Sequence, residues 1–420
     1  MRIHVMAAMG LLLAGGSAEA ATCSFDAGTG VLTVNLLGTK AELKANATGI
    51  LLDGVACGAA TQTSTSRIVV NGNGTGDDNL VLRGKFAPGR NDVPETDTPE
   101  IEIDLVNGWK ERADFLTVFG SVKADDWRVS ASGINLNGDL DADLTAPAAG
   151  RFVLRPMGGD DVVDASGYTG SSNVRIYGGD GNDSLTGGPN PDWIYGEAGN
   201  DRLFGSDGRD FLFDGPGADV VRGNAGNDVV NCDPDFDAGD DFGGGTGKDT
   251  VSYISRQPGL TVTLDSLADD GEAGENDYVR PDVEVVDGGS GDDVLVGSSA
   301  DNTLFGGGSG FDDLYGGGGN DTLLCGISEG CFATGETGND FLFGSDFDDV
   351  LDGGDGDDEL HGADGNDSLT GGSGVDLLEG QDGDDVFDNA DGFADTVDCG
   401  NGIDDPDPDP LDTFTACENI

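Results

Sequence analysis

Basic side chains are scarce in this sequence. Twenty lysines and arginines stand against 81 aspartates and glutamates in 420 residues, a formal net charge of −61. A chain so acidic offers no surface to phosphate backbones, which excludes nucleic acid as a partner and favours cations. Histidine is nearly missing, with two residues in all. One is His4, close to the start, so only His361 is left for general acid–base work. HExxH does not occur, which removes the central groups of zinc metalloproteases. No CxxC pair occurs either, so a zinc or dithiol redox site has no support. Long apolar runs are also missing: the stretch 5–14 is well short of the roughly 20 residues that span a bilayer. No transmembrane segment is expected.

What is present begins with the leader. Arg2 and His4 precede the apolar stretch 5–14, and Ala18-Glu19-Ala20 fits a small-residue cleavage site. This predicts an export signal over 1–20, cut after Ala20, and an extracellular mature chain. Seven cysteines follow. In an oxidising compartment they are expected to pair. Proximity suggests Cys23–Cys57, Cys325–Cys331 and Cys399–Cys417, leaving Cys232 over.

Glycine is the most telling abundance, at 74 residues. Acidity with glycine is the composition of a disordered chain unless the residues are periodic. They are. From Gly178 the sequence reads in nines: GGDGNDSLT, GGPNPDWIY, GEAGNDRLF, GSDGRDFLF, DGPGADVVR, GNAGNDVVN. The sixth place is Asp183, Asp192, Asp201, Asp210, Asp219 and Asp228, and the eighth is always aliphatic. A second run from Gly335 places Asp340, Asp349, Asp358, Asp367, Asp376 and Asp385 in the same way. Single repeats between the runs contribute Asp249, Asp293, Asp313 and Asp321. The third place adds a weaker acidic set, Asp180, Asp207, Asp355, Asp364 and Asp382.

Glycine permits positive φ and close backbone approach, so carbonyl oxygens can turn toward a shared centre. Six to eight oxygens at about 2.3–2.6 Å suit Ca²⁺, a hard ion tolerant of irregular geometry. Magnesium needs a tighter octahedron, and softer metals find no ligands here. Carboxylates stacked at a strand spacing of about 4.8 Å repel one another by roughly 0.9 kcal/mol even in water. Each nonapeptide hides one or two aliphatic groups worth about 2–3 kcal/mol each. Ordering its backbone costs on the order of 9–18 kcal/mol. A cation in each turn converts repulsion to coordination, and its binding energy becomes folding energy.

The pattern resembles GGxGxDxUx, the nonapeptide repeat of RTX calcium-binding proteins. That resemblance covers about 178–397 and implies an all-β fold, a right-handed parallel β-helix or β-roll. In such a fold two nonapeptides make a coil, so sixth-place aspartates recur every 18 residues on each side. It further implies Ca²⁺ as the cofactor, on the order of ten ions held by the sixth-place aspartates. RTX toxins and proteases typically carry an uncleaved C-terminal export signal, and the N-terminal leader departs from that subgroup.

The expected organisation follows from where the phase holds. After the leader, 21–155 is strand-rich and less regular, read as irregular solenoid coils or a cap, with a small β-sandwich as the alternative. Repeat blocks occupy 156–252 and 288–397, the latter with a disulfide-closed bulge at 325–334. An acidic insertion, 253–287, resembles one found in secreted, actinobacterial-type calcium-binding repeat proteins. Its Asp269, Asp270, Glu272, Glu275 and Asp277 form either a separate calcium site or a solvated loop. The tail, 398–420, reads as a cap over an open sheet edge. No catalytic constellation is found, and the expected role is structural, adhesive or interactive, with extracellular polysaccharide or protein as possible partners. The alternative is a calcium-dependent enzyme acting on polysaccharide, its site in 21–155, with Trp109 and Trp127 as a sugar platform or as core.

Overall fold

The computed structural model describes residues 21–27, 31–35, 40–46, 49–53, 55–57, 60, 67–71, 79–83, 102–106, 115–119, 126–130, 133–135, 144–145 and 151–417, without 235–238 and 408–409. The leader 1–20 and Trp109 lie outside the described residues. Those residues form strands and turns, and none of them forms a helix able to cross a membrane. The chain divides into two compact units, 1–211 and 212–420. Parallel β-solenoid coils, about 14 in all, run over 152–415.

The strands are short because each repeat supplies only one inward side chain. In Ser184–Thr186 the middle residue is buried and its neighbours are half-buried, and Phe341–Phe343 likewise buries its middle residue. Alternation leaves Leu185 inside, and glycine then turns the chain. In the first unit, parallel pairing stacks Leu185 on Leu203 in one sheet and Ile176 on Ile194 in another. In the second unit, Val286, Leu304, Leu323, Leu342, Leu360 and Leu378 form one buried column. Leu314, Ala333, Leu351, Leu369 and Phe387 form another. The core is thus a stack of aliphatic rungs one coil apart.

Before residue 151 the same parallel pairing continues with longer coils. Val31 pairs with Arg67 and Arg67 with Glu102, steps of 36 and 35 residues. A second row joins Lys40–Asn46, Asn79–Arg83, Phe115–Phe119 and Arg151–Arg155. The row then passes to Val174–Asp180. At the start, Thr22–Asp26 lies antiparallel on Val31–Asn35, and Gly49–Leu52 antiparallel on Lys40–Asn46, so the first parallel strands are covered. Trp127 is 2% exposed, which makes it core and not a platform. Disulfides join Cys23 to Cys57, Cys325 to Cys331 and Cys399 to Cys417, and Cys232 is a buried free thiol.

Candidate metal centres

Each sixth-place aspartate lies two residues before an inward aliphatic, at the corner where turn becomes strand. Its side chain points inward and is buried, as Asp183, Asp201, Asp321, Asp340, Asp358, Asp367, Asp376 and Asp385 show at 1–3% exposure. One carboxylate oxygen is used by the backbone. The Asp183 amide donates to Asp201 Oδ1 at 2.7 Å, and the Asp340 amide to Asp358 Oδ1 at 2.7 Å. Asp358 donates in turn to Asp376 Oδ1 at 2.8 Å, so the row runs from coil to coil. A second row joins Asp349, Asp367 and Asp385 at 2.9 Å per step.

The other oxygen is what matters for a metal. Oδ2 of Asp183, Asp249, Asp321, Asp340, Asp358, Asp367, Asp376 and Asp385 is buried with no hydrogen-bond partner among the described residues. A buried carboxylate oxygen without a donor is costly unless a cation meets it. It faces the glycine that opens its own repeat. A Cβ built on Gly353 would sit 2.5 Å from both Asp358 Oδ2 and the Gly371 carbonyl of the next coil. At Gly316 the corresponding distances to Asp321 Oδ2 and the Gly335 carbonyl are 2.6 and 2.8 Å. Carboxylate and carbonyl therefore converge on space that only glycine leaves open, and every donor is oxygen. That set fits Ca²⁺.

The turns are of two kinds. In open turns the second residue has left-handed φ even when it is not glycine: Glu197 (68°), Ser206 (87°), Glu336 (66°), Ala363 (81°) and Gln381 (76°). Such residues resist this conformation by about 1–2 kcal/mol. In closed turns the second-place amide instead caps the sixth-place side chain. Gly188 caps Asp192 Oδ2 (2.5 Å), Gly289 caps Asp293 Oδ2 (3.0 Å) and Ser345 caps Asp349 Oδ2 (2.6 Å). Ser298 caps Asn302 Oδ1 at 2.7 Å. The three aspartates of closed turns thus have both oxygens held by amides.

Asp313 is a correction. The stretch GGGSGFDDLY carries one extra residue, and the buried leucine is Leu314, so the corner residue is Asp312. Its Oδ1 accepts the Asp293 amide at 3.0 Å, whereas Asp313 is a half-buried strand residue paired with Val294. Counting back from the aliphatic finds further members that counting from glycine missed. Asp161 donates its amide to Asp183 Oδ1, and Asp219 donates to Asp240 Oδ1. Asp240, Asp376 and Asp385 donate to Asp277, Asp395 and Asp404 respectively. Cys331 takes the corner place beside Asp312, so a disulfide replaces one carboxylate of its row. The third-place Asp180, Asp207, Asp355, Asp364 and Asp382 have exposed side chains outside these rows. The carbonyls of Asp180, Asp355 and Asp382 accept amides from the preceding coil.

The fifth place carries a ladder of its own. Asn200 donates its amide to Asn182 Oδ1 at 2.9 Å, and Asn339 to Asn320 Oδ1 at 2.9 Å. Here the acceptor belongs to the earlier coil, the reverse of the sixth place.

Burial pushes the corner carboxyls up. It raises Asp183, Asp376 and Asp385 to about 6, and Asp321, Asp358 and Asp367 to about 7, with backbone hydrogen bonds opposing the shift. Neighbouring carboxylates raise them further.

The 253–287 insertion is built differently. Asp270 accepts amides from Thr263 (2.6 Å) and Val279 (2.8 Å) on its two oxygens. Asp277 accepts the Asp240 amide and the Tyr253 hydroxyl. Glu275 accepts the Glu272 amide on Oε2 and the guanidinium of Arg256 on Oε1 at 2.7 Å. Arg256 is wholly buried and also reaches Asp233 and Glu272 at 3.4 Å. Burial disfavours its charge, but Glu275 outweighs this and keeps it protonated, above its ordinary value. The cation at the centre of this acidic segment is therefore an arginine. Asp269 is exposed.

His361 sits between Glu379 (3.0 Å) and Glu359 (2.9 Å) on a strand exterior. Burial and then Asp214 push the Cys232 thiol well above its usual range, which disfavours its thiolate.

A parallel solenoid with buried aspartate corners and glycine-lined oxygen clusters defines a class, the metal-binding β-roll. Within it the family is specific. The RTX calcium-binding nonapeptide repeat (4 copies) matches at residues 168–194, 177–212, 204–232, 287–323, 334–369 and 361–393. The chain thus carries RTX calcium-binding nonapeptide repeats in multiple copies across residues 168–393. No match is found among curated proteins.

Proposed function

We infer that this is a secreted protein whose coils wind when Ca²⁺ enters the open turns, and that its role is structural or adhesive, not catalytic. One observation carries the reading: the row of buried Oδ2 atoms without donors among the described residues, each facing a glycine whose missing Cβ leaves it room. Asp183, Asp249, Asp321, Asp340, Asp358, Asp367, Asp376 and Asp385 are the side-chain ligands of first choice, which agrees with on the order of ten ions. When bound, Ca²⁺ supplies the positive charge that lets stacked carboxylates lie side by side. The chain's part is to hold the carboxylates by one oxygen, turn the carbonyls inward and bury both. Three disulfides favour an oxidising, extracellular setting.

Far-ultraviolet circular dichroism of the full chain tests this. In chelator the spectrum should be largely that of an unfolded chain, and millimolar calcium should restore β structure. An unchanged β spectrum in chelator overturns the reading.

A further inference from the structure

One outward face in the 1–211 unit is unlike the surface expected of so acidic a chain. Parallel register aligns Tyr177 with Tyr195 and Arg175 with Trp193. The tyrosine rings stack at 4.5 Å and 4°, and Arg155 lies 3.6 Å over the Tyr177 ring. In the adjacent column Trp193 stacks on Phe211 at 5.2 Å and 12°, with Arg175 and Arg209 each 5.3 Å from a ring of that pair. The rings are half-buried and keep outer edges in solvent. Neither column contains a carboxylate, and among the described residues none of the three arginines is ion-paired to one.

This arrangement is preorganised for anions. A guanidinium stacked on an aromatic face keeps its in-plane N–H edge for bidentate bonds to carboxylate or sulfate. Stacking also spends little further side-chain freedom on binding. The Tyr195 hydroxyl remains a donor at neutral pH, since burial raises it above its ordinary value. Arg155 and Arg175 stand on strands of neighbouring coils about 4.8 Å apart, and Arg209 precedes the Phe211 strand two coils further on, so the cations follow one another along the face. A row of cations matches a linear polymer that carries anionic groups along its length. Nucleic acid is disfavoured, because its dense phosphates meet only three cations here against the repulsion of the whole chain.

We propose that this face binds a strand of acidic polysaccharide, with carboxylate or sulfate groups on Arg155, Arg175 and Arg209 and sugar rings against the aromatic edges. The proposal rests on the calcium reading only in that the coils must be wound.

The test uses the full chain in saturating calcium, titrated calorimetrically with oligogalacturonate, dextran sulfate, neutral dextran and poly-glutamate. Both acidic polysaccharides should bind and weaken with added salt, and neutral dextran should not bind. The double variant Arg155→Gln/Arg175→Gln should lose at least about tenfold in affinity, with its dichroism and calcium midpoint unchanged. Equal affinity of variant and parent, or of neutral and acidic dextran, overturns the proposal. So does poly-glutamate binding as tightly as the polysaccharides, which would make the face a peptide site. A chain that fails to fold in calcium refutes the calcium reading, whereas a folded chain without polysaccharide binding refutes this inference alone.

Discussion

At the scale of single residues, each corner aspartate has two separable tasks. Asp358 Oδ1 holds the Asp340 amide, and Oδ2 has no hydrogen-bond partner among the described residues. Asp358→Asn keeps the acceptor and removes the charge. It should leave the fold in chelator no worse, since a buried charge is gone, yet weaken the calcium-loaded fold by about 1–3 kcal/mol. The β signal left in chelator and urea unfolding in calcium measure the two. Asp349→Asn is the comparison: Ser345 already holds Oδ2 of Asp349, so its cost should hardly depend on calcium. If both variants respond to calcium alike, the second oxygen is not what binds the ion. The corner role was legible in sequence because Asp and the inward aliphatic keep a fixed separation. Asp312 and Asp395 show that this separation, and not the distance from glycine, sets the register. A carboxylate must end where the strand begins, while the turn before it tolerates an extra residue.

At the scale of elements, the turns and the insertion divide what sequence could and could not tell. Three of the four closed turns lack glycine at the fourth place, where Asn190, Ala300 and Phe347 stand instead. Gly356 shows why open turns need it: φ is 150°, and a Cβ would collide with the Gly338 carbonyl of the coil below. That much is visible in the repeat. The insertion is not, because no local pattern says that Arg256 goes inside. Only the fold brings it to Glu275 and Asp233, residues 19 and 23 positions away. Arg256→Met should therefore leave buried acids uncompensated and destabilise the segment by about 3–5 kcal/mol. Limited proteolysis within 253–287 would report it. Extra calcium should not rescue the variant, since Asp270 and Glu275 spend oxygens on backbone amides. Rescue by calcium would reinstate an ion site there.

At the scale of the whole molecule, protons and calcium compete for the same oxygens. Burial lifts the corner aspartates from the ordinary 3.8 to about 6 or 7 in the calcium-free fold. Between those values and 3.8 the folded chain binds more protons than the unfolded one. Stability without calcium must then fall as pH rises through this window, and it is fully present only below it. With calcium the sign reverses, because a protonated carboxyl is a poor ligand. Dichroism in chelator should show more β structure at pH 5 than at pH 8. The calcium midpoint for folding should be higher at pH 5 than at pH 8. A midpoint that does not move with pH would mean that these carboxylates are not where calcium binds. The parallel solenoid itself was legible from the period of nine, and irregular coils before residue 151 from their runs of strand-forming residues, but the register of those coils was not. Their strands carry no glycine–aspartate signature, only a spacing of about 36 residues that register alone reveals.

The opposed directions of the two side-chain ladders have a consequence in time. An Asn200-type amide is met by an oxygen from the turn before it, whereas an Asp183-type amide is met by one from the turn after. A polypeptide appearing from its N-terminal end can fasten the first kind at once and must leave the second hanging. Completion thus lags one circuit behind, each newcomer latching its predecessor. The final latches come from the tail, where Asp404 and Asp412 receive the amides of Asp385 and Asp395.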